Sequence, residues 1–161
     1  MNDNRTVPEY PVSVDVALLL LRIIVGVIFA AHGAQKLLGL WGGPGLAKTV
    51  EMFGGGPLGY LVTIGEFFGG LGLIVGFLTR FSAASLIVIM LGAIFMVHGK
   101  NGFFLGSGPE STMAQSGFEY NLALIGLLLP ILVCGPGRFS LGRYLPLPRS
   151  AKTGRPVVVL E

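Results

Sequence analysis

The chain has 161 residues, 52% of them apolar and only 12% charged, with a mean hydropathy of +0.77. Soluble domains carry about 25% charged residues, so this chain has too little polar surface to cover a globule in water, and lipid is its solvent. The single cysteine, Cys134, excludes an intrachain disulfide and any centre built from several thiolates. The net charge of +3 is concentrated from Arg138 onward, which on a membrane protein is a topology signal rather than a nucleic-acid footprint.

Residues 1–13 form a polar N-terminal segment. The first apolar run covers about 14–32, holds one charge, Arg22, beyond Asp15 at its very start, and ends in IFAAHG (28–33). Asp3, Glu9 and Asp15 outweigh Arg5 ahead of it and no A-x-A follows, so it reads as a retained helix rather than a signal peptide. The second run, 57–78, also holds one charge, Glu66. The third, 81–97, holds none and leads into IFMVHG (94–99). The fourth, 120–134, contains Pro130 and is short for a bilayer that takes roughly 20 residues to cross. These runs predict an all-α membrane protein, a bundle of four transmembrane helices over 14–134, followed by a basic, proline-rich tail over 135–161. The loops 33–56 and 98–119 include WGGPG (41–45) and FGGGP (53–57). Such stretches predict compact loops without a regular helix.

Lysine and arginine set the predicted orientation. Arg5, Arg80, Arg138, Arg143, Arg149, Lys152 and Arg155 lie on one side, and Lys36, Lys48 and Lys100 on the other. This bias puts both termini in the cytoplasm and both long loops outside, with the tail lying along the anionic inner leaflet. Helices one and three then run in parallel and share the I-F-x-x-H-G signature, so the chain reads either as two hairpins in a parallel repeat or as a chance likeness between apolar segments. In either case His32 and His98, the two histidines of the chain, fall at a shared height.

Counting 1.5 Å per residue puts Arg22 about 12 Å and Glu66 about 17 Å from the inner boundary, within reach of each other. A buried Arg22–Glu66 ion pair is therefore expected, either locking helices one and two together or serving as a proton or ligand site. Above it His32, Lys36, His98, Glu119 and Tyr120 form an outer polar cap. That set admits several chemistries. It suits a quinone headgroup at the lipid boundary; two histidines can ligate a b-type haem; His32, His98 and Glu119 can meet a metal ion, although no spacing is diagnostic; or the histidines merely cap their helices. In the second helix Gly65, Gly69, Gly70, Gly72 and Gly76 contain two G-x-x-x-G pairs, which predict close helix packing. No P-loop, dinucleotide fingerprint or nucleophile elbow occurs, so catalysis by this chain alone is not expected.

The blocks LLLRIIVGVIFAAHGAQKLLG, IGEFFGGLGLIVGFLTRFSAA, MLGAIFMVHGKNGFF, FEYNLALIGLLL and GPGRFSLGRY, in this order over about residues 17–144, resemble the DoxX family of small four-helix bacterial membrane proteins. Arg22, Gly26, Gly33, Lys36, Glu66, Gly69, Gly70, Gly76, Thr79, Arg80, His98, Glu119 and Tyr120 fall on its recurring positions. Gly142 departs from the aspartate often found after the Ser-Leu of the last block. The resemblance implies a multi-pass protein of the bacterial inner membrane. Relatives include subunits of thiosulfate:quinone oxidoreductases and of complexes handling oxidative or thiol stress. The expectation is a membrane subunit that anchors partner subunits and offers an outward-facing quinone site. The alternatives are a non-enzymatic scaffold, alone or as a homo-oligomer, and a small-solute or proton carrier.

Overall fold

The computed structural model describes residues 10–106 and 116–143. Among these the chain is helical, with α1 (Val12–Leu38), α2 (Gly45–Met52), α3 (Pro57–Val75), α4 (Thr79–Ala93) and α5 (Glu119–Cys134). A π-helical turn, Ile94–His98, and a 3-10 turn, Gly99–Asn101, prolong α4. The tail beyond residue 143 and the segment before residue 10 lie outside the described residues.

Proline and glycine set the ends of the helices. Pro57 opens α3, where a missing N–H costs nothing, and Gly76 closes it in the left-handed conformation at φ 73°. Gly39, at φ 71°, closes α1 by donating its N–H to the Gln35 carbonyl. Helix α1 thus runs six residues past His32, where a stop was expected. Gly33 does not end the helix. A Cβ there would lie 2.4 Å from the backbone nitrogen of Phe67, so glycine is needed for contact with α3. The glycine-flanked loop also holds a helix, α2, because the glycines sit at its edges and Leu46–Met52 between them are ordinary helix formers.

Helices α1, α3, α4 and α5 pack antiparallel in sequence order around Val25, Phe29, Leu73, Leu86, Leu124, Leu128 and Ile131. α1 lies on α3 and, more thinly, on α5, while α4 lies on α3 and α5, so α1 and α4 are diagonal. The buried stripe is narrow. Phe68, Phe81, Val88 and Phe95 are all more than half exposed, an arrangement stable only in hydrocarbon. α1, α3 and the α4 segment to Asn101 are each long and apolar enough to cross a membrane; α5, at 16 residues, is shorter.

The glycines divide by neighbour. Gly70 meets α1, where an added Cβ would sit 2.4 Å from the Ala30 nitrogen, and Gly26 faces the Gly70 carbonyl from the other side. Gly65 and Gly69 face Ile89 and Leu86 of α4, and Gly72 faces Ser82. The expected 72/76 packing pair is not one, because Gly76 lies past the end of α3 as its cap. The most intimate helix contact is instead made by Gly26 and Gly33 with Gly70 and Phe67.

A polar layer at the loop end of the bundle

The bundle has a terminal end, with the start of α1, the α3–α4 turn and residues 134–143, and a loop end, with α2 and residues 98–106 and 116–119. Polar groups collect at both, and differ in kind.

At the terminal end, Arg22 is 1% exposed. Its Nε donates to the Leu73 carbonyl at 3.0 Å, Nη2 to Phe139 at 2.9 Å and Nη1 to Pro136. The expected Arg22–Glu66 pair does not form. The Leu73 carbonyl near the end of α3, together with two carbonyls of the GPGRF segment, fills the guanidinium fork without a carboxylate. Asp15, also buried, accepts the Arg138 N–H at 2.8 Å and lies 3.3 Å from its Nε. Arg80 donates to the Val133 carbonyl at the end of α5. Arginines thus fasten the 135–140 segment beneath the bundle.

At the loop end, Glu66 pairs with Lys36. The lysine Nζ lies 2.7 and 2.5 Å from the two carboxylate oxygens, with the side chains 28% and 4% exposed. The continuation of α1 past Gly33 carries Lys36 into position. Thr49 of α2 bonds the Lys36 carbonyl at 3.3 Å, tying α2 over this end of α1. Glu66 lies on the buried stripe of α3 with Thr63, Gly70 and Leu73. Its neighbour Gly65 meets Ile89, and Met90 meets Asn121 of α5, so Asn121 and Glu66 lie at similar heights. The Asn121 amide is 6% exposed and reaches only the Met90 sulfur, at 3.5 Å. Thioether sulfur is a weak acceptor. His32, one turn before Lys36 on α1, is half-buried and has no hydrogen-bond partner among the described residues. This level of the bundle therefore holds a satisfied buried ion pair and two poorly satisfied donors.

The other cap residues do different work. His98 Nδ1 lies 2.8 Å from the Ser116 carbonyl, which Asn101 also bonds. Glu119 accepts the Leu105 N–H at 2.8 Å, and backbone bonds join Gly102–Phe104 to Gly117–Glu119. With edge-on contacts of Phe103 to Phe104 and Phe118, they fasten the second long loop. Tyr120 is 39% exposed and outside the layer. His32 and His98 stand on diagonal helices, and among the described residues no three His, Cys, Asp or Glu side chains cluster as metal ligands. The two I-F-x-x-H-G signatures also fold differently: IFAAHG is regular α-helix, whereas IFMVH is the π-helical turn. Asn121, which the sequence places beside Glu119 and Tyr120 at the start of the fourth helix, is the buried member of that trio. An asparagine in phase with Leu124, Leu128 and Ile131 was its signal.

The architecture defines a small helical membrane protein with a buried ion pair near one bundle end. The DoxX family profile matches residues 17–99, and the chain belongs to that family. It is 33% identical over 132 residues to "Inner membrane protein YqjF" of Escherichia coli (strain K12), covering 81% of this chain and 93% of the relative. It is 31% identical over 123 residues to "Putative oxidoreductase CatD" of Bacillus subtilis (strain 168), covering 74% and 81% respectively. It is also 31% identical over 135 residues to "Uncharacterized membrane protein Rv3486" of Mycobacterium tuberculosis (strain ATCC 25618 / H37Rv), covering 80% and 81%. No solved structure matches the chain.

Proposed function

We propose that this protein is the membrane subunit of an oxidoreductase complex and that its loop-end polar layer binds a quinone headgroup. The observation that carries the reading is the pairing of a satisfied Lys36–Glu66 ion pair with underused donors on Asn121 and His32 at one level of the bundle. A quinone presents two carbonyl acceptors on a flat apolar ring, and it supplies the electron and proton uptake when bound. Asn121 and His32 are the residues to hold its carbonyls, and Lys36–Glu66 the pair to hold a proton nearby. The π-helical turn beginning at Ile94, one turn past Met90, adds weight, since such turns gather at functional sites. The oxidoreductase name of one relative agrees with the reading.

In this reading α5 is the fourth span, both termini are cytoplasmic and the loop end faces outward, as the lysine and arginine bias favours. Partner subunits supply the electron donor site. The test is to capture the tagged chain from mildly solubilised native membranes and assay decylubiquinone reduction with thiosulfate or a dithiol. Glu66→Gln should lower turnover at least tenfold per folded chain. Unchanged turnover makes the pair structural and favours a scaffold subunit.

A further inference from the structure

The thin α1–α5 contact leaves a groove at the terminal end, far from the polar layer. It has a volume of about 470 Å³, is open along one side, and is lined by Val14, Ala17, Leu18 and Leu21 of α1 and by Pro130 and Cys134 of α5. Its walls are almost wholly apolar, and Ala17 supplies little bulk to close it.

Two arginines flank this groove at its terminal mouth. The Arg80 guanidinium lies against Gly135, next to Cys134 on the α5 wall, with its Nε 3.1 Å from the position of an added Cβ. Arg138 follows Gly137, where an added Cβ would sit 3.5 Å from Leu18 on the α1 wall, and its side chain is 41% exposed. Arg22 stands behind them with carbonyl partners only. Among the described side chains at this end Asp15 is the one carboxylate, and Arg138 engages it. Among the described side chains the end therefore carries two more arginines than carboxylates, at the head of an apolar slot in lipid.

We infer that the α1–α5 groove is a binding site for one anionic phospholipid, with an acyl chain along Ala17, Leu21 and Pro130 and the phosphate beside Arg80. The charge excess selects an anionic headgroup over a zwitterionic one, and the apolar slot demands an attached chain, which free phosphate lacks. The full chain is reconstituted in nanodiscs of equal phosphatidylglycerol and phosphatidylcholine, released gently, and its retained lipids counted by native mass spectrometry.

Phosphatidylglycerol should be retained about fivefold over phosphatidylcholine, the preference that one arginine gives near an anionic lipid surface. Arg80→Gln should bring the two near parity and Arg80→Lys should keep the preference. Ala17→Trp, at a lipid-facing position, should lower retention of both lipids, with Ala17→Leu as a milder filling of the slot. Circular dichroism melts check that each variant is folded. Equal retention of the two lipids by the unaltered chain, or a preference unchanged in Arg80→Gln, overturns the headgroup assignment. Undiminished retention in both groove-filling variants overturns the site.

Discussion

Lys36 and Glu66, on neighbouring helices and 30 residues apart in sequence, form a two-pronged ion pair at 2.7 and 2.5 Å, with the carboxylate side chain 4% exposed. Breaking one side of such a pair strands a buried charge, which is costlier than removing both. Lys36→Met should therefore destabilise the protein by about 3 kcal/mol, the low end of that range because Lys36 keeps partial exposure. Adding Glu66→Leu should restore most of the loss. Thermal melts in detergent of the two single variants and the double variant measure this. Additive losses would mean that the pair is uncoupled.

The α1–α3 contact gives a prediction with a built-in control. Gly33→Ala and Gly70→Ala each drive a Cβ to within 2.4 Å of backbone nitrogen on the facing helix, where no side chain can yield. Each should cost about 1–3 kcal/mol from overpacking and lower the melting temperature. Gly92→Ala meets nothing within 4 Å and should be neutral or stabilising by up to about 1 kcal/mol through helix propensity.

Arg22 is held by three carbonyls that span the end of α3 and the 136–139 segment. Arg22→Leu takes the donor from the part-buried Pro136 and Phe139 carbonyls, at about 1 kcal/mol each, while Leu73 keeps the Gly76 N–H, and should release the segment, read as faster limited proteolysis between residues 135 and 140. Arg22→Lys supplies a single point of donation in place of a fork and should fall between.

The two histidines should separate by readout. His98 bonds the Ser116 carbonyl, so His98→Ala should cost about 1 kcal/mol of stability and leave quinone affinity unchanged. His32 has no such bond, and His32→Ala should leave stability near normal while weakening quinone binding.

The sequence reading succeeds where single residues punctuate a helix and falls short where the partner lies on another helix. Pro57 opens α3 as expected, and the apolar runs locate the long helices. Arg22 and Glu66 are visible as charges at membrane depth, but depth alone cannot say that the carbonyls of Leu73, Pro136 and Phe139 satisfy the arginine. Gly33 reads as a helix stop because its packing against Phe67 is invisible along the chain, and that error leaves Lys36 in a loop. The same limit hides α2, whose flanking glycines outweigh its own short pattern. The matching I-F-x-x-H-G signatures suggest equivalence, yet Gly33 packs on a facing backbone, whereas the Gly99 N–H closes the π-helical turn onto the Ile94 carbonyl. Like sequence meets unlike surroundings.

The most direct test of the quinone reading uses the protein's single tryptophan, Trp41, which is 71% exposed at the loop end. Decylubiquinone is titrated into the purified full chain in nanodiscs while Trp41 fluorescence is followed, alongside Glu66→Gln and Asn121→Leu. The account predicts saturable quenching in the unaltered protein and at least tenfold weaker apparent affinity in both variants. Linear, unsaturable quenching that is the same in all three proteins would mean that the quinone only partitions into lipid and that the polar layer does not bind it.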